Sequence, residues 1–226
     1  MNQTWCDTHC HSRPIHFNQT TVVCLSHQEI LTHQVYKHFS VGIHPWWISN
    51  LNIADLDILK NHLKTLATSP GVCAIGETGL DRLYKETWDQ QVELFHWHWD
   101  LAETHSLPLV IHKVRSGSDF LGLLKAKKPK TPWIFHDYHG TPEEVESLIK
   151  LHSDCYFSFG VSLLKRETLH ETVESIPLAR LLIETDEESQ LELPRFYEKM
   201  TQIRRLSAQV LQHQISTNFH LLFKNS

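Results

Sequence analysis

The chain has 226 residues, of which 41% are hydrophobic, and this is enough to form the core of one α/β domain. Its net charge of −5 excludes a general attraction to nucleic acid or to anionic membrane, so any polyanionic substrate must be bound by local groups. The sequence has no apolar run of about 20 residues and no basic, then apolar, leader after Met1, and we therefore expect a cytoplasmic protein without a membrane contact.

Short apolar runs alternate with longer amphipathic segments, a pattern typical of a parallel sheet covered by helices. The predicted strands are residues 5–9, 21–25, 39–43, 72–75, 107–112, 133–136, 155–159 and 181–184. The predicted helices are residues 53–67, 88–105, 118–125, 142–150, 163–175, 194–212 and 216–223. No repeat, low-complexity tract or flexible linker interrupts this pattern, so we expect residues 1–226 to form a single domain.

Cysteine and histidine are the residue types that first suggest a metal. The five cysteines are Cys6, Cys10, Cys24, Cys73 and Cys155. They are odd in number and widely spaced in a chain that needs no disulfide, so we expect free thiols. A zinc knuckle at Cys6 and Cys10 stays open as an alternative, although the usual second pair of cysteine ligands is absent from the sequence. Most of the 18 histidines, including His96 and His98, are expected to be surface or half-buried residues without a chemical role.

Residues able to bind metal stand at the carboxyl ends of most predicted strands. They lie in Asp7-Thr8-His9-Cys10-His11, Gly42-Ile43-His44-Pro45, Gly76-Glu77-Thr78-Gly79-Leu80-Asp81, Ile111-His112-Lys113, Phe135-His136-Asp137 and Glu184-Thr185-Asp186. One such histidine is more often hydrogen-bonded than a ligand, but this many buried polar groups without partners would be costly. In a TIM-type (β/α) barrel the carboxyl ends of the strands converge on one mouth. We therefore predict such a barrel, regular or distorted, with a metal site at its mouth.

The spacing of His9 and His11 favours joint binding of one cation. Alternate residues of an extended segment point to the same face, so both imidazoles can reach the same ion. The candidate set provides two histidines, an aspartate and a bridging carboxylate for one cation, and two further histidines that share this carboxylate for a second. We therefore predict two divalent cations, zinc, manganese or magnesium, of which imidazole favours magnesium least.

These motifs resemble those of the TatD-type metal-dependent hydrolases, a family within the amidohydrolase-like superfamily whose members are often described as deoxyribonucleases. The resemblance covers nearly the whole chain. Besides the motifs above it rests on Leu107-Pro108-Leu109-Val110-Ile111-His112, His136-Asp137-Tyr138-His139-Gly140, Leu182-Ile183-Glu184-Thr185-Asp186 and Asn218-Phe219-His220-Leu221-Leu222-Phe223. Their number and order favour this family.

The resemblance implies a role for each matching residue. The implied metal ligands are His9, His11, Glu77, His112, His136 and Asp186. Glu77 would bridge the cations, and Asp186 is the candidate to accept a proton from the attacking water. His44 and Arg115 would contact a substrate phosphate, whereas Glu184 would anchor a neighbouring loop.

The implied reaction is hydrolysis of a phosphodiester by water that two cations activate, with single-stranded DNA as the expected substrate of an exonuclease. Trp46 and Trp47 would either stack on bases at the mouth or pack beneath a loop. The local positive charge that would support binding of nucleic acid is thin but present in Lys113, Arg115 and the lysine-rich residues 125–130. The sequence leaves protein partners open.

Two segments depart from the family pattern. Residues 12–41 form a short connection for this family, and Glu187-Glu188-Ser189-Gln190 lacks the usual proline and small residues. Loops of this kind select the substrate. One alternative is therefore an amidohydrolase-like enzyme that acts on an ester, lactone or amide, although Glu77 replaces the carboxylated lysine of many such enzymes. The other is a non-catalytic barrel subunit, which the complete ligand set argues against.

Overall fold

The computed structural model describes residues 5–12 and 18–223. Eight parallel strands pair in chain order. They are β1 (Trp5–Cys10), β2 (Gln19–Cys24), β3 (Phe39–Val41), β4 (Val72–Asp81), β5 (Leu109–Val114), β6 (Trp133–Phe135), β7 (Cys155–Phe159) and β8 (Leu181–Ile183). The helices are α1 (His27–Leu31), α2 (Ile53–Leu66), α3 (Trp88–His105), α4 (Gly117–Ala126), α5 (Pro142–Leu151), α6 (Ser162–Lys165), α7 (Leu169–Ser175), α8 (Leu193–Arg204) and α9 (Ala208–Leu222). The predicted TIM-type barrel is confirmed.

The barrel closes at the carboxyl ends of its first and last strands. A parallel bridge joins Cys10 to Asp186. The Asp186 amide donates to the His9 carbonyl at 2.9 Å, and the His11 amide donates to the Asp186 carbonyl at 3.2 Å. Closure therefore takes place at the mouth, and it uses the backbone of residues whose side chains were predicted to bind metal.

Helix α3 packs on the sheet through large aromatic side chains. Its buried residues recur at helical spacing, so that Phe95 and Trp99 point to the same side. Both rings meet the Trp133 ring of β6 edge to face, with centroids 5.5 and 5.0 Å away, a favourable arrangement for aromatic pairs. This packing holds α3 against β6, the strand whose carboxyl end leads to the mouth.

Strand β4 continues past its predicted end at residue 75. Its pairing with β5 shifts register between Ile75 and Thr78, as in a bulge, which bends a strand and redirects its side chains. A Cβ atom at Gly79 would clash with the backbone carbonyl of His112, so the glycine permits the close approach of β5. The shift and the glycine together present Glu77 at the mouth from within a paired strand.

The helix predicted over residues 194–212 is wrong, because α8 ends at Arg204 and α9 begins at Ala208. Arg205 adopts a left-handed conformation with φ 52°, and the Ser207 side chain accepts a hydrogen bond from the Val210 amide. These features end one helix and start the next. The predicted helix 216–223 is therefore only the second half of α9.

Two further segments differ from their predictions. The predicted helix 163–175 is divided into α6 and α7, and a 3-10 turn at Pro45–Asn50 follows β3. The His44 side chain caps this turn, and Pro45 occupies its first position, where the missing amide is no loss. No helix in the described part of the chain combines the length and the apolarity that a membrane span requires.

Candidate metal centre

Histidine side chains from several strand ends surround the carboxylate of Glu77, of which only 4% is exposed. Its Oε2 atom lies 3.3 Å from His9 Nε2 and 3.8 Å from His11 Nε2. Its Oε1 atom lies 2.8 Å from His112 Nδ1 and 2.6 Å from His136 Nε2. The two oxygens of this buried carboxylate therefore face different histidines.

Asp186 lies on the same side of the mouth as His9 and His11. Its Oδ1 atom is 3.4 Å from His11 Nε2 and 3.7 Å from His9 Nε2. The backbone of Asp186 is left-handed, with φ 54°, a conformation that aspartate tolerates better than most residues and that recurs at functional sites. Its side chain stays 30% exposed, so Asp186 can meet both the histidines and the solvent.

Two further groups hold the histidines in place. The Nε2 atom of His44 lies 3.1 Å from Glu77 Oε1, and its Nδ1 atom accepts from the Trp46 amide at 3.1 Å. The carboxylate of Asp81 accepts from Trp46 Nε1 at 2.8 Å and from His112 Nε2 at 3.4 Å. A carboxylate behind a ligating histidine fixes its tautomer and orientation, and Asp81 is placed to do this for His112.

The charges of the centre depend on one another. Burial raises the pKa of Glu77, but the positive charges of His136 and His44 outweigh it and hold that pKa well below its usual range. Burial lowers the pKa of His136, but the Glu77 carboxylate holds it well above its usual range. Burial raises the pKa of Asp186, but the hydrogen bond from His11 and the charges of nearby histidines together outweigh this effect, and the pKa lies below its usual value. The carboxylates are therefore ionised at neutral pH and require positive charge beside them.

The donor set fits divalent cations. The His9 and His11 Nε2 atoms are 3.3 Å apart, as are His112 Nδ1 and His136 Nε2. Imidazole nitrogens and carboxylate oxygens that converge at such distances are the usual ligands of zinc and manganese. The Nδ1 atom of His9 is buried and has no hydrogen-bond partner among residues 5–12 and 18–223. Metal ligation would hold this ring without such a partner.

All six predicted metal ligands come together at this centre, and two residues join them. His44 was predicted to contact phosphate, and it forms a ligand-like group with Glu77 and His112. Cys24 was not singled out, and its Sγ atom lies within 4.8 Å of ligand atoms of His9, His11 and Glu77. No sequence signal indicated Cys24, since a cysteine in an apolar strand is an ordinary core residue.

The remaining cysteines lie outside the centre. All five are buried, free thiols, as expected. The Cys10 thiol donates to the Ser12 carbonyl at 3.2 Å, and neither Cys6 nor Cys10 belongs to a ligand-like group in the described ranges. The zinc-knuckle alternative is therefore wrong.

His98 was expected to be unimportant and half-buried at most, but it is completely buried. Its Nδ1 atom donates to the Leu94 carbonyl at 2.7 Å, and its Nε2 atom accepts from the Ile43 amide at 2.9 Å. Burial lowers the pKa of His98 to about 4, so the ring is neutral at neutral pH. The neutral ring thus supports the backbone next to His44.

A cavity of about 290 Å³ opens beside the centre. Its walls are formed by His11, Cys24, Ser26, Gly42, His44, Trp46, Trp47, Glu77 and Glu187. The Trp46 side chain is 46% exposed, whereas Trp47 is half-buried and stacks on His27 with ring centroids 5.6 Å apart. A cavity of this size accommodates a small molecule or one unit of a polymer, and Trp46 is the more exposed of its two tryptophans.

Charged side chains near the mouth differ in their partners. The Lys113 ammonium lies 2.8 Å from Glu144 Oε1. Arg115 follows β5 with a left-handed backbone, is exposed, and forms no ion pair within the described part of the chain. Glu184 accepts from the Asp137 amide at 2.7 Å, as expected of a residue that anchors a neighbouring loop. Of the two cationic residues, Arg115 is therefore the one available to a ligand.

Comparison with known proteins identifies one family and several relatives of this chain. The profile of the family described as TatD related DNase matches residues 6–224. The "uncharacterized metal-dependent hydrolase YcfH" of Escherichia coli K12 is 33% identical over 150 residues, 66% of this chain and 54% of that protein, so the match spans about half of that relative. An "uncharacterized metal-dependent hydrolase" of Buchnera aphidicola (subsp. Baizongia pistaciae) is 28% identical over 96% of this chain and 95% of its own length.

Solved structures resemble the whole described fold. The crystal structure of YJJV, a TatD homologue of Escherichia coli K12, superposes with a TM-score of 0.84 at 21% identity and covers 99% of both chains. An uncharacterized amidohydrolase of Saccharomyces cerevisiae gives a TM-score of 0.77 at 13% identity, covering 98% of this chain and 100% of that one. These likenesses show a shared fold. Since the family profile spans almost every residue, the chain belongs to the TatD related DNase family.

Proposed function

We propose that this protein is a metal-dependent hydrolase that cleaves phosphodiester bonds in single-stranded DNA as an exonuclease. The observation that carries the proposal is the carboxylate of Glu77, whose two oxygens face different histidines. Such an arrangement suits a ligand that two cations share. The name of the YcfH relative supports the metal dependence, and the description of the family supports DNA as the substrate.

The proposed ligands divide into two sets. One cation, of zinc, manganese or magnesium, would be held by His9, His11, Asp186 and Oε2 of Glu77, and the other by His112, His136 and Oε1 of Glu77. Divalent cations at such a site lower the pKa of a bound water and offset the charge that develops on a phosphate. The neighbouring Asp81 would orient His112.

We assign the proton transfer to Asp186 rather than to Glu77. The Glu77 side chain is 4% exposed, and histidines surround both of its oxygens, whereas 30% of the Asp186 side chain is exposed at the mouth. A proton acceptor must come within hydrogen-bond distance of the attacking water. Asp186 would take this proton on the oxygen that is not directed at the histidines. Glu77 would instead serve as the ligand that both cations share.

The substrate is proposed to lie across the cavity. Arg115 is exposed and would bind a phosphate oxygen through its guanidinium group, which suits this task. His44 would contact the same phosphate. The exposed ring of Trp46 would stack on a base, a contact worth about 1–3 kcal/mol. On the sequence evidence alone, we further propose a single-domain enzyme of the cytoplasm.

A second candidate substrate class is an ester, lactone or amide. The observation that favours it is Glu187, which lines the cavity and whose negative charge would repel a nearby phosphate. A neutral carbonyl substrate would not suffer this repulsion, and the same proposed groups would direct water onto it.

Metal analysis and parallel assays test the proposal. The purified protein is analysed for bound metal and then assayed with Mg²⁺, Mn²⁺ and Zn²⁺ on single-stranded DNA labelled at either end, duplex DNA, bis-p-nitrophenyl phosphate and p-nitrophenyl acetate. We expect hydrolysis of single-stranded DNA from one end, abolished by a chelator and by Asp186→Asn but not by the exposed control Asp57→Asn. Turnover of the acetate without cleavage of either diester would favour the second candidate. Bound metal without turnover of any substrate would contradict both candidates.

A further inference from the structure

Cys24 ends β2, and its side chain lies where the cavity meets the metal centre. It is 3% exposed and forms part of the cavity wall together with His11 and Glu77. Its neighbour in the register of β3 is Ser40. The buried thiol therefore lies next to the Ser40 position of β3 and close to ligand atoms of the metal centre.

The distances permit shared coordination. The Cys24 Sγ atom, one nitrogen each of His9 and His11, and one Glu77 oxygen all lie within 4.8 Å of one another. Two ligands of a tetrahedral zinc ion, with Zn–S about 2.3 Å and Zn–N about 2.0 Å, are about 3.6 Å apart. A contraction of about 1 Å would bring the group to coordination distance, and ordinary side-chain motion has this amplitude.

We propose that Cys24 is a further ligand of the cation held by His9 and His11, and that its sulfur makes this position selective for thiophilic ions such as Zn²⁺ and Cd²⁺. The inference rests on the proposed function, since it requires the metal centre described there. Soft thiolate donors favour these ions over Mg²⁺ and Mn²⁺, which prefer oxygen. When the cation binds, the S–H bond of Cys24 breaks, its proton passes to water and a sulfur–metal bond forms.

The two cation positions are unequal as a result. The position beside His112 and His136 offers only nitrogen and oxygen donors, because Cys24 is the only cysteine of the described ranges that joins a ligand-like group. Cys73 and Cys155 donate to backbone carbonyls instead, at 3.4 Å to Phe39 and 3.8 Å to Leu148. A buried thiol at the first position thus assigns a thiophilic ion there and leaves the second position to a harder one.

Cobalt substitution tests the sulfur ligand directly. The wild-type protein is titrated with Co²⁺ and its absorption spectrum recorded, because a thiolate bound to Co²⁺ gives a charge-transfer band in the near ultraviolet. We expect this band in the wild type and in the control Cys73→Ser, which removes a buried thiol of β4, and its absence in Cys24→Ser. Competition titrations should show Cd²⁺ affinity about tenfold weaker in Cys24→Ser, with Mn²⁺ affinity changed less than about threefold.

The possible outcomes separate this inference from the function on which it rests. A wild-type protein that binds Co²⁺ and hydrolyses its substrate without a sulfur band would overturn the role of Cys24 alone, as would a band that persists in Cys24→Ser. A wild-type protein that binds no Co²⁺ would overturn the metal centre as well. Cys24→Ala and a ¹¹³Cd spectrum of the wild type provide the same information if the serine variant does not fold.

Discussion

The floor and the rim of the mouth are constructed in different ways. On the floor, Glu77 and its histidines stand on or directly after paired strands, and their side chains are almost completely buried except that of His11, which is 33% exposed. On the rim, Trp46, Arg115 and Glu187 belong to turns after the strands and are exposed. Hydrogen bonds of the sheet fix the floor, whereas the rim residues lie outside the sheet, and Trp46 is held by its hydrogen bond to Asp81.

This difference separates chemistry from selection. Groups that must meet within about 3 Å of a reacting atom require a rigid support, while groups that choose among substrates can change without loss of the fold. Changes on the floor should therefore affect every substrate, and changes on the rim should affect some substrates only.

The largest effect is expected for Glu77→Gln, which keeps the shape of the side chain and removes its charge. Because this carboxylate faces both pairs of histidines, turnover of every substrate should fall by about a thousandfold or more, and bound metal should decrease. Steady-state kinetics and elemental analysis measure both quantities. The exposed Glu146 on α5 provides the control substitution Glu146→Gln, and near-normal turnover with full metal content in Glu77→Gln would contradict the two-cation arrangement.

Asp81 connects floor and rim, since its carboxylate accepts from His112 and from Trp46. Asp81→Asn should lower metal affinity or turnover by about 10–100-fold, because His112 loses the partner that orients it. Isothermal titration with Zn²⁺ and kinetics on a small diester measure the loss. The exposed Asp89 supplies the control Asp89→Asn, and an Asp81→Asn enzyme indistinguishable from this control would show that His112 needs no such support.

His98 makes the support of the mouth sensitive to acid. Its pKa is about 4 in the folded protein, below the unfolded value of about 6.5, so its contribution to stability is complete above pH 6.5 and is lost as the pH falls toward 4. Between pH 7 and pH 5 the expected loss is about 2 kcal/mol of unfolding free energy.

Urea denaturation with a chelator present, at pH 7 and at pH 5, measures this loss. His98→Gln should show a smaller decrease between the two pH values than the wild type, whereas the exposed neighbour His96→Gln should behave like the wild type. An equal decrease in all three proteins would assign the acid sensitivity to other groups.

The smallest effect is expected on the rim. Trp46→Ala should weaken the binding of single-stranded DNA by about tenfold through the loss of stacking, and should change the hydrolysis of bis-p-nitrophenyl phosphate by less than about twofold. Trp46→Phe keeps an aromatic face but loses the hydrogen bond to Asp81, so it should retain most of the DNA affinity. Fluorescence anisotropy with a labelled oligonucleotide measures the binding. An equal loss on both substrates would show that Trp46 supports the chemistry itself rather than the selection of DNA.

The floor was largely predictable from the sequence, and the reason is geometric. Parallel strands in a barrel end at one mouth, so the motifs around His9, Glu77 and Asp186 could be brought together from their positions alone. Cys24 could not be recognised, because alternation along a buried strand does not show whether a thiol faces ligands or core. His98 was missed for a similar reason, since its partner is a backbone amide more than 50 residues away in sequence.

Local structure was less predictable where it depends on single backbone conformations. The break between α8 and α9 lies at Arg205, a left-handed residue that no proline or glycine announces. The register shift in β4 depends on its pairing with β5, which a single segment does not reveal. Residues of the rim were predicted by type, but their partners, such as the contact of Trp46 with Asp81, required the folded chain.

The closure of the barrel at Asp186 joins metal binding to the integrity of the fold. The backbone of Asp186 pairs with that of Cys10 and so joins the last strand to the first. The carboxylate of Asp186 lies beside His9 and His11. A cation on these three side chains would link the first and last strands of the barrel. Because the unfolded chain does not bring these ligands together, the free energy of metal binding adds to the stability of the closed barrel. Release of the ion would then favour local opening of the pairing between the first and last strands, which an isolated bridge joins at the mouth.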